Sequence, residues 1–333
     1  MTVEWLKIEE HGLYCEPGKF YIDPWRPVDY AVITHGHADH ARPNNQHVLT
    51  TPATITVMKH RYRDAAEKKL QALQYREPLK INDISLSFYP AGHVWGSAQV
   101  LLSYRGQRVV VSGDYKRRYD PTCEPFEPLP CEVFITEATF GLPIFMHPND
   151  QEELHKIVVS MEKYPNRPHL VGCYALGKCQ RLLLRLRQLD FRRPIYLHGA
   201  LEGLTTLYQE NGFDFGELRL VSGVNEKHLR GELILCPPSA LADRWSRRFE
   251  DPVIGLASGW MRILQRSKQR GIELPLVVSD HADWPELIQT LRDVNPNEVW
   301  VTHGQEDALI HYAQTQGYTA KALSLVGMEG EGE

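Results

Sequence analysis

The sequence predicts an α/β protein in which one domain is inserted into another. Short stretches rich in apolar β-formers prevail up to about residue 136, helical and extended stretches alternate from about 150 to 270, and strand-like stretches return after 275. Alternation of strands and helices is typical of βαβ units on a parallel sheet. We therefore expect an outer domain made of residues 1–145 and 273–333, with an insertion at 146–272.

The first region contains five candidate strands and one candidate helix. The helix is expected over about 52–70, and Arg105-Gly106 has the composition of a hairpin turn. The strands are expected at 30–34, 84–89, 98–104, 107–112 and 133–136. The first part of the outer domain is therefore expected to be rich in β-structure.

The inserted region and the return to the outer domain follow a different pattern. Helices are expected at 152–163, 178–189 and 284–293, and strands at 169–174, 194–198, 232–236, 274–279 and 298–302. The Asp283-Trp-Pro-Glu286 stretch has the form of a capping box with proline in the first turn. Asp283 is therefore expected to cap the helix that follows it.

Composition and charge exclude some classes of protein. The 333 residues are 42% apolar and carry a net charge of −5, which counts against a coat protein that binds nucleic acid through many phosphate contacts. The six scattered cysteines are expected to be small buried residues, not disulfides or metal ligands.

There is no apolar run of the roughly 20 residues that span a membrane, and no secretory pattern at the N-terminus. We expect a cytoplasmic protein without a membrane partner.

The most informative motif is His35-Gly-His37-Ala-Asp39-His40, which follows the apolar stretch 30–34. Imidazole and carboxylate groups together suit zinc, iron and manganese. Three imidazoles and one carboxylate within six residues cannot all bind one ion without strain, but they can divide between two ions. The alternative, that these are polar surface residues, does not explain four potential ligands directly after a buried strand.

Further candidate ligands stand at the ends of other predicted strands, each beside small residues. They are His93 in Ala-Gly-His, Asp114 in Ser-Gly-Asp, His281 in Ser-Asp-His and His303 in Thr-His-Gly. One such histidine alone is more simply explained as a hydrogen-bonded core or surface residue. Four of these strand ends together indicate a metal centre.

These motifs in combination resemble the metallo-β-lactamase superfamily. Glu137 in Thr-Glu-Ala-Thr-Phe-Gly, His281 in Ser-Asp-His-Ala-Asp and His303 in Thr-His-Gly are similar to three motifs of its β-CASP nucleases. Tyr174-Ala-Leu-Gly-Lys178 resembles a strand-to-helix turn of their inserted domain. The local sequences at 91–97 and 258–261 are most similar to those of bacterial ligase-associated DNA exonucleases, relatives of Artemis. The resemblance implies a metallo-β-lactamase αββα sandwich with an inserted α/β β-CASP domain.

The resemblance also implies two divalent metal ions, zinc foremost with manganese as the alternative, and a role for each ligand. One ion would be held by His35, His37 and His93, the other by Asp39, His40 and His303, and Asp114 would bridge them. Asp39, Glu137 and His281 form the expected catalytic set, with His281 near the scissile phosphate and Glu137 orienting a histidine. Asp23 is expected to orient a ligand histidine or the loop.

The inserted region offers candidate nucleic-acid contacts. Backbone N–H groups and the ammonium of Lys178 at a helix start could bind a phosphate, although a solvated lysine explains the pattern equally well. Ser258, Gly259 and Trp260 could seat a terminal phosphate or stack a base, although Trp260 as core packing is as reasonable.

The predicted function is that of a DNA exonuclease in repair, acting from the 5′ end on single-stranded or end-containing DNA, together with a DNA ligase and a helicase. His303 favours the alternative, an RNA-processing nuclease, because the resemblance associates histidine at this position with RNA-acting members and valine with eukaryotic DNA-acting ones. A third alternative is a small-molecule (thio)ester hydrolase, which would have no need of the insertion. A non-catalytic nucleic-acid-binding relative would show gaps in the ligand set, and the sequence has none.

Overall fold

The structure, a computed structural model, describes residues 3–63 and 69–324. Within these residues the chain forms two compact units, one holding the chain up to Phe145 and again from His281, the other holding Met146–Asp280. The chain returns to the first unit at 281, whereas the predicted boundary lies at 273. The difference arises because 274–276 pair with the sheet of the second unit. The assignment of the units as named domains stays a prediction.

Nineteen strands and seven α-helices are present in the described residues. The strands are β1 (Leu6–Glu9), β2 (Gly12–Cys15), β3 (Phe20–Ile22), β4 (Tyr30–Val32), β5 (His47–Thr50), β6 (Lys69–Ala72), β7 (Leu79–Ile81), β8 (Ile84–Pro90), β9 (Ala98–Tyr104), β10 (Gln107–Val111), β11 (Val133–Ala138), β12 (His169–Gly172), β13 (Ile195–Leu197), β14 (Leu218–Leu220), β15 (Leu233–Cys236), β16 (Val253–Ala257), β17 (Leu274–Leu276), β18 (Glu298–Gly304) and β19 (Thr319–Ala322). The helices are α1 (Pro52–Tyr62), α2 (Asp150–Lys163), α3 (Lys178–Gln188), α4 (Gly199–Glu210), α5 (Leu264–Gln269), α6 (Trp284–Val294) and α7 (Glu306–Thr315).

The first unit is a sandwich of two sheets. One has the order β1-β2-β3-β4-β5-β6 and the other the order β19-β18-β11-β10-β9-β8-β7. Side chains of both sheets share one core, in which Phe20 and Leu49 of the first join Phe88 and Ile135 of the second. Since apolar side chains alternate along a strand, each sheet also presents a second apolar face that a helix must cover.

Helices cover both outer faces of this sandwich. Met58 of α1 packs with Val48 on the first sheet, whereas α6 and α7 contribute Leu287 and Leu309 to the cluster on the second. The predicted αββα sandwich is therefore confirmed. The predicted end of the first helix at residue 70 is wrong, because α1 ends at Tyr62 and residues 69–72 form β6. Residues 64–68 lie outside the described residues.

The second unit is built on a fully parallel sheet with the strand order β14-β13-β15-β12-β16-β17. All its strand pairs are parallel, so each connection must cross from one end of the sheet to the other. Its central strands β12, β13 and β15 are completely buried, as the predicted βαβ arrangement requires. Strand β16 has no counterpart among the predicted strands, because Gly255 interrupts its short apolar run.

Several local predictions are confirmed. Arg105 and Gly106 both have positive φ, 49° and 78°, as a type I′ hairpin turn requires. Asp283 caps α6, accepting from the backbone N–H of Glu286, whose own carboxylate accepts from the N–H of Asp283. All six cysteines are free thiols, and only Cys123 is not fully buried. Among the described residues no helix is long and apolar enough to cross a bilayer.

Candidate metal centre

The loop 35–42 follows the carboxyl end of β4. This strand pairs in parallel with β3 on one side and with β5 on the other. It is tightly folded, since the backbone N–H of Ala41 donates to the carbonyl of His37 at 2.8 Å. His35 and His40 are buried and His37 is half-buried. The loop therefore directs its imidazoles inward and not toward solvent, as a metal-binding loop requires.

The first ligand group contains His35, His37, His93 and Asp114, whose ligand atoms all lie within 4.8 Å of one another. Nδ1 of His37 is 3.1 Å from Nε2 of His35 and 3.0 Å from Nε2 of His93. Oδ2 of Asp114 is 3.5 Å from Nε2 of His35 and 3.8 Å from Nε2 of His93. Three ring nitrogens and one carboxylate oxygen thus converge on one point.

The second ligand group contains His40, Asp114 and His303, again within 4.8 Å of one another. Nε2 of His40 is 3.4 Å from Oδ2 of Asp114, and Nδ1 of His303 is 3.7 Å from Oδ1. Oδ2 of Asp39 is 3.6 Å from Nε2 of His40 and so stands at the edge of this group. Asp114 is common to both groups, in the position of a bridging ligand.

Asp114 reaches this position because a glycine precedes it. Gly113 has a φ of 54°, and a Cβ at this residue would lie 2.8 Å from Cβ of Thr34. Any other residue would need both a strained backbone and a displacement of the strand end that carries His35. The Ser-Gly-Asp pattern therefore has a direct structural meaning at the end of β10.

His303 is directed into the site by an irregularity in the pairing of β11 with β18. Glu137 pairs with Thr302 and Ala138 with Gly304, so His303 is left over between them with a φ of 59°. An extra residue of this kind bends a strand and redirects its side chain, and such bulges are common next to active sites. Gly304 is needed beside it, because a Cβ there would lie 2.4 Å from the carbonyl oxygen of Ala138.

Asp23 sets the orientation of both buried histidines of the loop. Its Oδ2 accepts the Nδ1–H of His40 at 2.8 Å and the hydroxyl of Thr34 at 2.6 Å. Because the Thr34 hydroxyl hydrogen is used in this way, its oxygen accepts the Nδ1–H of His35 at 3.0 Å. Both histidines thereby have Nδ1 engaged in a hydrogen bond and Nε2 turned toward Asp114, where Nε2 can serve as a ligand atom once it carries no proton.

These residues fit divalent cations on the evidence of the side chains alone. Nε2 of His40 is buried and has no hydrogen-bond partner in the described part of the chain. A buried polar atom without a hydrogen-bond partner is costly, and a cation that replaces the proton of His40 would satisfy this nitrogen. Asp39, His40, His303 and Asp114 would hold one ion, and His35, His37, His93 and Asp114 the other.

The electrostatics of the two groups differ. Burial lowers the pKa of His35 well below its usual value, and the nearby His40 acts in the same direction. Burial opposes the charge of His40 too, but the carboxylates of Asp114 and Asp23 outweigh it and hold its pKa well above the usual value. Burial would raise the pKa of Asp114, yet His40 outweighs it and keeps that pKa well below the usual value, so Asp114 is a carboxylate.

Glu137 and His281 form a hydrogen-bonded pair next to Asp114, with which they make a third close group. Oε2 of Glu137 is 2.8 Å from Nδ1 of His281, and Oε1 accepts the backbone N–H of Tyr115 at 2.7 Å. Glu137 is almost completely buried, while 11% of the His281 side chain is exposed. Glu137 is thus hydrogen-bonded to His281, and the catalytic roles of both residues stay predictions.

Two threonines that support these histidines were missed at the sequence level. Thr34 links His35 to Asp23, and the Thr139 hydroxyl donates to Oε2 of Glu137 at 2.6 Å. Both stand next to or near predicted site residues, in Thr34-His35 and Glu137-Ala-Thr139. A hydroxyl beside a predicted ligand was the available signal, but threonine is too common after a strand for that signal to be used alone.

The second unit does not support the predicted phosphate role of Lys178. The Lys178 side chain is fully buried, with Nζ 3.5 Å from Oδ2 of Asp280, which also pairs with Arg181 at 2.8 Å. At the start of α3 the backbone N–H of Gly177 donates to the side chain of Gln180. Both the ammonium and this N–H group therefore have partners inside the protein.

The residues Ser258, Gly259 and Trp260 also make internal contacts. The hydroxyl oxygen of Ser258 accepts the backbone N–H of Trp260 at 3.2 Å, and Ser258 and Gly259 are buried. The guanidinium of Arg266 lies 4.1 Å from the centre of the half-buried Trp260 ring. A base-stacking role for Trp260 stays a prediction, and it would require Arg266 to leave that face or the base to use the other.

Comparison with known families places two regions of the chain. Residues 22–168 match the metallo-beta-lactamase superfamily. Residues 275–317 match the Zn-dependent metallo-hydrolase RNA specificity domain. The first match contains His35, His37, His93 and Asp114, and the second contains His281 and His303.

Among curated proteins, the chain is 28% identical to a protein named probable DNA ligase from Opitutus terrae, over 94% of this chain and 30% of that protein. It is 23% identical to an RNase J-like protein from Methanocaldococcus jannaschii, over 92% of this chain and 88% of the other. It is also 23% identical to cleavage and polyadenylation specificity factor subunit 3 from Dictyostelium discoideum, over 79% and 40%. The chain thus spans less than half of the first and third of these relatives.

Among solved structures, a protein of unknown function from Enterococcus faecalis superposes with a TM-score of 0.59 at 13% identity, covering 91% of this chain and 80% of the other. That likeness concerns the fold. Taken with the two family matches and the ligand groups that share Asp114, it leads to one conclusion. The chain belongs to the metallo-β-lactamase superfamily and, within it, to the β-CASP nuclease family.

Proposed function

We propose that this protein is a metal-dependent exonuclease that hydrolyses the phosphodiester bonds of DNA, working from the 5′ end in DNA repair. The observation that carries the nuclease assignment is the convergence of two ligand groups on Asp114 with the Glu137–His281 pair beside them. Two neighbouring divalent ions suit phosphodiester cleavage because they stabilise charge on both the attacking and the leaving oxygen. Zinc is the proposed metal, with manganese as the alternative.

The chain's own residues prepare the site for an anionic substrate. His35, His37 and His93 would hold one ion, Asp39, His40 and His303 the other, and the carboxylate of Asp114 both. Glu137 holds Nδ1 of His281 and so restrains the ring, and we propose that the opposite ring nitrogen acts on the substrate. It would either stabilise charge on the phosphate or give a proton to the departing oxygen. Asp39 contributes as a ligand, and Glu137 acts through His281.

The similarity to the DNA-ligase-named protein supports DNA as the substrate. It extends over 94% of this chain, so a region like the whole chain exists within a protein named for joining DNA. A nuclease that prepares ends and a ligase that closes them act on the same DNA. We therefore keep single-stranded or end-containing DNA as substrate, and a DNA ligase and a helicase as partners in one cytoplasmic repair pathway.

RNA is the second candidate substrate, and specific observations favour it. The family matched by residues 275–317 is described as an RNA specificity domain, and several curated relatives are named as RNA-processing proteins. His303 lies within that region and stands against Asp114. The alternative assignment is an RNA-processing nuclease that uses the same metal centre.

The deciding experiment offers both polymers to the same enzyme. Purified protein with Mn²⁺ or Zn²⁺ receives DNA and RNA strands of equal sequence, labelled at the 5′ or the 3′ end, and Asp114→Asn protein serves as the control for contaminating nuclease. We expect DNA to be shortened from its 5′ end and RNA to be cut at least tenfold more slowly. Faster cleavage of RNA would transfer the assignment to RNA. Cleavage of a thioester with neither polymer attacked would reject both nuclease assignments.

A further inference from the structure

Two arginines are hydrogen-bonded to backbone carbonyls of the metal-binding loop. Nη1 of Arg61, in the last turn of α1, donates to the carbonyl oxygen of Gly36 at 2.5 Å. Nε of Arg42 donates to the carbonyl oxygen of Asp39 at 3.1 Å. Gly36 separates two ligands of the first group, and Asp39 belongs to the second. One guanidinium is thus attached to the backbone of each ligand group.

Both guanidinium groups retain unused hydrogen-bonding capacity. A guanidinium has five N–H donors in a planar fork, and each arginine spends one of them on the loop. Arg42 and Arg61 are half-buried, and among the described residues neither is paired with a carboxylate. By contrast, Arg117 and Arg118 of the same unit are paired with Asp293 and Asp283. As far as the described residues go, Arg42 and Arg61 therefore keep their charge and most of their donors for an external anion.

The loop fixes these charges close to the metal centre. The hydroxyl of Tyr62, the residue after Arg61, donates to the carbonyl of Ala41 at 2.6 Å, and the side chain of Asn45 donates to the carbonyl of Arg42 at 2.9 Å. The ends of α1 and of the loop are thus tied together. Because Gly36 lies between two residues of the first group and Asp39 stands at the edge of the second, each guanidinium is bonded to the backbone at or next to a candidate ligand.

We infer that Arg42 and Arg61 bind backbone phosphates of the nucleic-acid strand that flank the scissile phosphodiester. This inference rests on the proposed nuclease function. A strand carries one phosphate per nucleotide, so a strand with one phosphodiester at the metal centre also brings flanking phosphates to the loop that carries the ligands. Guanidinium forks match phosphate oxygens in geometry and in charge. Since such contacts carry no information on base or sugar, they would serve DNA and RNA alike.

The main competing explanation is that the two arginines only support the loop. The substitution Arg61→Gln removes the charge but keeps an amide donor for Gly36, whereas Arg61→Lys keeps the charge. Arg42→Gln gives an independent test at the other ligand group. Arg105→Gln, at the exposed hairpin turn between β9 and β10, is the matched control because it changes the net charge equally.

The experiment measures strand binding separately from cleavage. Fluorescence anisotropy with a labelled 12-nucleotide strand is recorded with chelator-treated protein over a series of salt concentrations. Arg42→Gln and Arg61→Gln should each raise Kd roughly tenfold. Each should also reduce the slope of log Kd against log salt by about 0.7, the value for one phosphate contact on a single strand. Arg61→Lys should keep the slope, and Arg105→Gln should match the wild type.

The same variants, loaded with metal, are then assayed on the strand and on bis(p-nitrophenyl) phosphate, which has no flanking phosphate. We expect kcat/KM to fall at least tenfold more on the strand than on the small diester. Equal losses on both substrates, or loss of bound metal with an unchanged salt slope, would overturn the inference. If the wild-type protein cleaves neither polymer while Arg42→Gln and Arg61→Gln still show the reduced salt slopes, the nuclease function is rejected and the phosphate sites are supported.

Discussion

The buried histidines of the two ligand groups are supported in different ways, although both supports end on Asp23. His35 donates to the hydroxyl of Thr34, a neutral group, whereas His40 donates directly to the carboxylate of Asp23 and also faces Asp114. Burial accordingly lowers the pKa of His35 well below its usual value, while Asp114 and Asp23 overcome burial and raise the pKa of His40 well above it. His35 is therefore ready to bind a cation at neutral pH, whereas His40 must first release a proton.

Asp114 is common to both ligand groups, so its substitution should weaken metal binding in both. We expect Asp114→Asn to reduce strand cleavage by about 10³-fold or more and to weaken both ions, because an amide supplies neither the charge nor two anionic oxygens. Metal content by inductively coupled plasma mass spectrometry after dialysis checks this. Asp120→Asn, at another buried carboxylate, is the control. Retention of one full ion by Asp114→Asn would show that Asp114 does not bridge.

Removing a ligand from one group only should separate the groups. His37→Ala should weaken the ion held with His35 and His93, and His303→Ala the ion held with His40, each leaving about one ion per chain. Cleavage should fall about 10²-fold or more in both variants, since both ions act on the same phosphodiester. Competition with a chromophoric chelator gives the two affinities. Equal loss of both ions in His303→Ala would contradict its place in the second group.

Asp23 offers a way to disturb the second group more than the first. In Asp23→Asn the amide can donate to Nδ1 of His40, which moves the ring proton to Nε2 and blocks that ligand atom. The amide oxygen still accepts the backbone N–H of Thr34, but the Thr34 hydroxyl loses the Oδ2 acceptor that it shares with His40, so His35 is affected only through Thr34. We expect the second ion to bind about 10- to 100-fold more weakly, with a smaller effect on the first.

Asp120→Asn is a closely matched control for this variant. Asp120 accepts from the backbone N–H of Thr122 at 2.8 Å and from its hydroxyl at 2.6 Å, as Asp23 does from Thr34. Titration with zinc should therefore give wild-type affinities for Asp120→Asn. If both ions weakened equally in Asp23→Asn, the two supports would not differ as the structure indicates.

The two groups should also respond differently to pH. Because the raised pKa keeps His40 protonated at neutral pH without metal, the second ion must displace that proton. Its affinity should therefore fall about tenfold for each unit of decrease in pH below the pKa of His40. His35 should add no such pH dependence to the affinity of the first ion, because its lowered pKa keeps it neutral over this range. Zinc titrations at pH 6, 7 and 8 test this, and parallel pH dependences of the two affinities would contradict it.

The sequence identified the candidate ligands that the structure brings together, because their patterns are local. His35 to His40 follow a buried strand directly, and a glycine stands before His93 and Asp114, so short patterns carried the information. The position of His303 depends on a bulge between β11 and β18, and the attachment of Arg61 to Gly36 joins residues 25 positions apart. Neither feature leaves a periodic pattern, so neither could be derived from the sequence alone.

The second unit shows the opposite case. Gly177-Lys178 has the pattern of a phosphate-binding helix start, yet Lys178 is buried against Asp280, which lies about one hundred residues later in the chain. The local pattern is the same whether the ammonium pairs with an external phosphate or an internal carboxylate. Only the tertiary fold decides between these outcomes. The sequence therefore supported the αββα sandwich and its candidate metal ligands better than any contact of the insertion.

The central claim is that two ions share Asp114, and anomalous diffraction at the zinc edge from crystals of the zinc-loaded protein tests it most directly. We expect two anomalous peaks, one in contact with His35, His37, His93 and Asp114, the other with Asp39, His40, His303 and Asp114. A single peak in zinc-saturated crystals, or a second peak that does not contact Asp114, would contradict the claim.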